Sequence, residues 1–493
     1  MRILIATIVA CAMAGPALGS PAEELVVRAF SSSAAVDDLR ELTDGVGGRP
    51  SGSAALERAV DWAIARFRAA GVDAVRGERY DAPRVWLAKK ETAELIAPAA
   101  LGGRVPLRVA AMPFAQATPA GGREAEVVDV GHGDDAGVAA AGRVAGRFAL
   151  VHTDPMRSID DLFKEYLETP PLMERLKKAG AAGVLYLSNR PARLLYRHNA
   201  TLDGSAFPLI AALVEREGGL RLARLVASGA KVRVKLTVAA DMPTRVPSRN
   251  VVAEIRGRDK PDEVVILGAH LDSWDLGRGA LDNGCNVALV LDVARALAAM
   301  AKKGERPRRT VRFMLYTGEE AGLWGSLADA RARRSELDRV RAQIVFDEGS
   351  GRTSGFSLGG RSDLKAAVDA ALQPLAGLGP FTQTVDAFVG TDNYDYLVEG
   401  VPTLVANQEG APYLPDYHAE SDTFDKVDLR ELHANVAIAG ALTWALADRA
   451  EPAAPRQNRA EVEALLKATG LDTQMRVFGL WSGFESGARG RAR

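Results

Sequence analysis

The chain has 493 residues, 47% of them apolar, and near-balanced charge with 62 Lys and Arg against 63 Asp and Glu. The length argues for more than one domain and the apolar share is enough for real cores. The charge balance removes any composition argument for a nucleic-acid partner or an anionic membrane surface.

Taken in order, Met1 to Gly19 comes first. It carries one charge, Arg2, an apolar run from Ile3 to Ala14, and the small-x-small sequence Ala17-Leu18-Gly19. That is the pattern of a secretory signal peptide, and its apolar core falls short of the ~20 residues that span a bilayer as a helix. The expected location is secreted or periplasmic. A lipoprotein modified at Cys11 ranks second, because the apolar run continues past that residue. No later segment reaches transmembrane length, so no membrane span is expected. Removal of the leader leaves Cys285 as the one cysteine, which excludes an internal disulfide and reads as a small buried thiol.

Ala34 to Leu42 and Ala54 to Ala70 read as amphipathic helices around the turn GGRPSGS; in the second, Leu56, Val60, Ile64 and Phe67 form one apolar stripe. From about Pro98 to Thr237 the character changes to short Gly-, Ala- and Val-rich strands such as Ala125 to Val130 and Arg147 to His152. This stretch also holds LMERLKKAGAAGVLYLS, a helix followed by a strand, and FPLIAALV, a strand leading into a helix. Its three histidines, His132, His152 and His198, read as surface or packing residues.

SRNVVAEIRG, residues 248–257, leads into the stretch that carries the chemistry. Val264 to Leu267 is a short β-branched strand, followed by His270 and Asp272, then Gly277 and Gly279, which let the chain turn before Asp282. From Asn286 to Met300 apolar residues recur at helical spacing, so Asp282 precedes a helix. A second strand, Thr310 to Tyr316, ends at Glu319 and Glu320. Strand, loop, helix, strand, with every acid in a loop after a strand, is the pattern of an open α/β sheet with its chemistry at the strand ends.

Adjacent glutamates point different ways. One can ligate a metal while the other faces substrate. His270, Asp282 and Glu320 would make one metal site, with Glu319 free as general base. Farther on, AQIVFDE offers Asp347 and YHAESDTFDKVD offers His418, so Asp282, Asp347 and His418 would make a second site bridged to the first through Asp282. Asp272 is expected to accept the other imidazole N–H of His270 and fix its tautomer. Asp422 would do the same near His418 or cap a helix. Beyond these, Arg361 to Leu372 and Leu429 to Ala447 read as helices and GVPTLVAN as a buried strand. After Pro452 one short helix around Glu461 to Lys467 precedes a tail, Gly483 to Arg493, expected to be mobile.

The order H-x-D, D-N-G, E-E-x-G, D-x-G and H-x3-D-T-x-D-K-V resembles the co-catalytic di-zinc exopeptidases of clan MH. HLDSWDLGRGALDNG is most similar to their plasma glutamate carboxypeptidase (carboxypeptidase Q) branch, and GGRPSGSAALERAVDWAIARFRAAGV with SRNVVAEIRG extends the likeness over most of the chain. The resemblance implies an α/β fold, a three-layer open mixed sheet with helices on both faces. The peptidase domain would span residues 20–97 and 238–450, with an inserted β-rich protease-associated domain at 98–237 and a C-terminal extension at 451–493. It further implies two Zn2+ per chain on His270, Asp282, Glu320, Asp347 and His418, Glu319 as base, Tyr417 as donor to the developing oxyanion, a peptide substrate and a homodimer. Which peptide end is held stays open, since Glu348, Arg352 and Arg361 all lie near Asp347; the HLDSWD match favours a carboxypeptidase acting on dipeptides or short peptides, with an aminopeptidase as the alternative. Glutaminyl cyclases and receptor-type relatives share the fold, and the full ligand set counts against both.

Overall fold

Residues 19–492 are described by a computed structural model. The expected signal peptide, apart from Gly19, lies outside the described residues, as does Cys11. Fifteen strands follow in chain order: β1 (Ala74–Arg84), β2 (Leu87–Ile96), β3 (Arg104–Leu107), β4 (Val109–Ala111), β5 (Arg123–Asp129), β6 (Phe148–Val151), β7 (Gly183–Leu187), β8 (Ala211–Val214), β9 (Arg233–Asp241), β10 (Thr244–Ile255), β11 (Lys260–His270), β12 (Arg309–Tyr316), β13 (Val340–Val345), β14 (Thr353–Ser357) and β15 (Thr403–Gln408).

One sheet has the order β1-β10-β12-β11-β13-β15-β14. Its centre is parallel, β12 and β13 flanking β11 and β15 beyond, while β1, β10 and β14 run antiparallel to their neighbours. Successive residues of β11 point to opposite faces. Val265, Leu267 and Ala269 join a core with the helices Pro21–Ser31, Ala54–Ala70, Cys285–Lys302 and Leu429–Asp448; Val264 and Ile266 join a second core with Met314, Tyr316 and Tyr396. Helices on both faces of a mixed sheet make the expected three layers.

The helix Ala54–Ala70 matches its expected span. Ser53 caps it by accepting from the Leu56 N–H, Leu56, Val60, Ile64 and Phe67 are buried, and Gly71 ends it at φ +81°. Among the described residues one helical stretch, Ala280–Lys302, is long and apolar enough to cross a membrane, and it is buried against the sheet.

The second sheet has the order β3-β2-β9-β5-β6-β7-β8-β4, with β5 to β8 parallel. β2 belongs to it, pairing with β9 over residues 87–96 and 233–241, so the chain changes sheets before residue 98 and returns after 237. The partly exposed residues of β2 show no shift in composition there, and only the pairing reveals the switch. Trp86 packs edge-on against Trp274 at 6.0 Å, seating the second sheet on the first.

The C-terminal stretch also differs from expectation. Three helices, Arg459–Thr469, Leu471–Val477 and Trp481–Glu485, pack on Tyr394, Leu397 and Val398. The tail expected to be mobile is docked, because the Arg489 guanidinium donates to Asp395 at 2.7 and 2.9 Å and both residues are buried.

Candidate metal centre

Three parallel strands deliver the chemistry at their carboxyl ends. β11 ends in His270, β12 runs into Glu319 and Glu320, and β13 into Asp347. Asp282 sits at the entrance of the helix Cys285–Lys302, after a turn at Gly279 where φ is +61° and a Cβ would lie 2.4 Å from the Ser273 side chain. His418 comes from the loop after β15.

These side chains form two donor groups that share Asp282. His270 Nε2 lies 3.1 Å from Asp282 Oδ1 and 2.9 Å from Asp347 Oδ1; His418 Nε2 lies 3.1 Å from Asp282 Oδ2 and 3.0 Å from Glu320 Oε2. Within each group the donor atoms lie within 4.8 Å of one another. The grouping differs from the sequence expectation, with Asp347 beside His270 and Glu320 beside His418. Sheet register explains it: Val345 pairs with Gly268, so the residues two further along, Asp347 and His270, come out side by side.

The donor set suits a divalent cation. Glu320 Oε1 is a buried oxygen that accepts no hydrogen bond, which a protein rarely leaves so without another partner, and Asp282 Oδ2 and Asp347 Oδ1 are buried oxygens turned toward the ligand nitrogens of His418 and His270. Nitrogen with carboxylate oxygen is a zinc-like mixture. Burial disfavours the charged His418 ring, yet Glu320 and Asp282 outweigh it and raise it to about 10. Burial drives Glu320 up to about 7 and Glu319 well above its ordinary value. A cation on these lone pairs would release the protons held there.

Two supporting acids act otherwise than expected. His270 Nδ1 donates to the backbone carbonyl of Asp272 at 3.0 Å, while the Asp272 carboxylate, 3.7 Å from that nitrogen, accepts from Ser51 Oγ at 2.5 Å and from the Glu319 N–H at 3.2 Å. Its carboxylate therefore braces the expected base. Asp422 is not beside the His418 ring; it accepts the N–H groups of Ala280, Leu281 and Asp282 at 3.0, 2.7 and 3.2 Å and so holds the turn that presents Asp282.

Residues 250–443 match the profile of Peptidase family M28. That stretch is similar to the M28 peptidases. A Peptidase M28 precursor from Shewanella amazonensis SB2B has a similar structure, with a TM-score of 0.80 and 29% identity over 88% of this chain and 98% of that one. Carboxypeptidase Q of Bos taurus is 26% identical over 433 residues, 87% of this chain and 88% of that protein. A zinc aminopeptidase of Bacillus subtilis, BSAP, shares the fold at a TM-score of 0.64 and 19% identity, over 83% of this chain and 93% of that one.

Several residues around the centre were not singled out from the sequence. Arg49, fully buried, donates to the carbonyls of Leu271, Gly47, Arg278 and Gly279 and so clamps the loop between His270 and Asp282. From the second-sheet stretch, the Arg197 carbonyl accepts from His418 Nδ1 at 3.1 Å, Asn199 donates to the Glu320 carbonyl at 3.0 Å, and Tyr166 lies 2.9 Å, oxygen to oxygen, from Tyr417. Tyr417 stacks on His418 with ring centroids 3.7 Å apart. The GGRPSGS turn was the visible trace of Arg49; the others needed the tertiary contact.

The centre opens into a pocket walled by Ile159, Leu162, Phe163, Phe388, Val389 and Phe478. Five carboxylates line it, Asp282, Glu319, Glu320, Asp347 and Glu348, with no Lys or Arg among the described lining residues. Arg352 instead pairs with Glu409 and Arg361 with Asp363.

Proposed function

We propose that this chain is a zinc-dependent exopeptidase holding two metal ions, one on His270, Asp282 and Asp347 and one on Asp282, Glu320 and His418, that removes the amino-terminal residue of short peptides. The observation that carries this is the pair of buried donor groups sharing Asp282. Bound there, the ions would polarise the peptide carbonyl and make water a competent nucleophile at neutral pH. Glu319 lies outside both groups yet lines the pocket. Its carboxylate takes the proton of the attacking water and returns it to the leaving amine. The Tyr417 hydroxyl donates to the oxygen that gains charge.

Glu348, the lining carboxylate left over from the metal ligands and the base, and the lack of Lys or Arg among the described lining residues support the choice of peptide end. A free α-ammonium is stabilised by carboxylates, whereas an α-carboxylate calls for Arg, Lys or backbone donors. The apolar wall suits a large apolar side chain. A second reading, a carboxypeptidase or dipeptidase, draws support from the likeness to carboxypeptidase Q. Metal analysis with a peptide panel tests both. About two zinc ions and cleavage blocked by N-acylation support the proposal; blockage by C-amidation supports the second reading; no metal and no cleavage would sink both.

The second-sheet stretch, residues 87–241, is read as a protease-associated domain that shapes substrate access. The apolar leader supports export to the periplasm or medium. Homodimerisation rests on the resemblance, and sedimentation as a monomer at working concentration would reject it.

A further inference from the structure

The helix Ile159–Lys178 is part of the stretch between the two halves of the first sheet, yet one of its side chains reaches the metal centre. Tyr166 lies 2.9 Å from the Tyr417 hydroxyl and 3.5 Å from His418 Nδ1. The helix is anchored by its own capping box, Ser158 with Asp161, so Tyr166 is presented by a rigid element.

His418 Nδ1, 3.5 Å from the Tyr166 hydroxyl, lies 3.1 Å from the Arg197 carbonyl and donates to it. The Tyr417 oxygen, 2.9 Å away, is then the near partner of the Tyr166 hydroxyl. Only one hydrogen lies between the two oxygens; with Tyr166 as its donor, the hydrogen of Tyr417 points into the pocket that the residue lines. A hydroxyl that accepts one hydrogen bond is polarised into a stronger donor for the next.

We propose that Tyr166 is a positioning residue: it orients and polarises the Tyr417 hydroxyl as the donor to the developing oxyanion. The inference rests on the exopeptidase reading above. It makes the inserted stretch part of the catalytic apparatus as well as a wall of the pocket.

The test compares zinc-loaded native chain, Y166F, Y417F and the double variant, all full-length. Four quantities are measured: kcat, KM, metal content, and affinity for a phosphinate peptide analogue by calorimetry, because the phosphinate presents a tetrahedral anion without turnover. Y166F is expected to lower kcat roughly tenfold to a hundredfold, to weaken phosphinate binding, and to leave KM and metal content unchanged. In the Y417F background it adds no further loss. Y166H, which restores an N–H donor, recovers part of kcat and stands in if Y166F does not fold. Native kcat and phosphinate affinity in Y166F, losses that multiply in the double variant, or loss of metal from Y166F would each overturn the inference. If the zinc-loaded native chain cleaves no peptide, the exopeptidase reading fails and takes the inference with it; an active native chain with an unaffected Y166F sinks the inference alone.

Discussion

Glu319 and Glu320 are neighbours in sequence and part ways in space. Glu320 meets His418, while Glu319 stays outside both donor groups with its backbone N–H held by Asp272. Glu319→Gln is therefore expected to keep both metals and the fold and to lose activity by a factor on the order of 10² to 10⁴; near-native kcat with full metal content would remove Glu319 from the base role. Asp422 acts one step away, through three backbone N–H groups of the Asp282 turn. Asp422→Asn should weaken metal affinity roughly tenfold to a hundredfold, read by competition with a chelator, and excess zinc should restore activity. The residue types of the centre were legible because His270, Asp282, Glu320 and Asp347 sit at strand ends or near glycines, while His418, in the loop after β15, was legible through its H-x3-D-T-x-D-K-V motif. Their pairing was not, because it depends on which strand lies next to β11. Tyr166 and Arg197 were invisible for the same reason: nothing in a helix or loop sequence says which metal ligand it will touch.

Among the elements, β11 is held at its starting end as well as charged at its finishing end. Glu263 on β11 accepts from Arg309 on β12 at 2.6 Å and from Arg341 on β13 at 3.0 Å, a clamp across three strands. Burial works against the Glu263 charge, but the two guanidiniums outweigh it and depress its pKa to about 2. An acid depressed in the fold contributes stability that is complete above its unfolded pKa of about 4.3 and is lost as pH falls through the folded value. In metal-free chain, Glu263→Gln should melt below the native chain at neutral pH, with the gap closing as pH falls from the unfolded toward the folded value. A gap that stays constant or widens would contradict the clamp. Element recognition followed periodicity: Ala54–Ala70 and Leu429–Asp448 have strong apolar stripes and were read almost to their ends. β1, β2 and β14 escaped, since strands with many partly exposed residues, such as β1 and β2, or a strand as short as Thr353–Ser357, lack a clean pattern.

Across the whole molecule, the pocket is assembled from three parts of the chain: the first-sheet domain, the second-sheet stretch through the helix Ile159–Lys178 and the loop of Asn199 and Leu202, and the C-terminal stretch through Phe478. The C-terminal part is fastened by the buried pair of Arg489 and Asp395. Arg489→Ala leaves a carboxylate buried without its partner and should cost about 3–5 kcal/mol, measured by denaturant unfolding; a loss within experimental error would show that the tail is not docked in solution. Phe478→Ala enlarges the apolar wall and is expected to raise KM for peptides with large terminal side chains more than for alanyl peptides, with metal content unchanged.

By itself the sequence determined the likeness to zinc exopeptidases, the layer architecture and the chemical inventory of the centre, because hydrophobic period, glycine-bounded turns and acids at strand ends are local properties of the chain. Tertiary structure alone decided which candidate ligands come together, that Asp272 holds the Glu319 N–H while Asp422 holds the turn of Asp282, and that residues more than a hundred positions upstream line the site. Those outcomes depend on sheet register and on long-range contacts, which bring together groups that no local pattern connects.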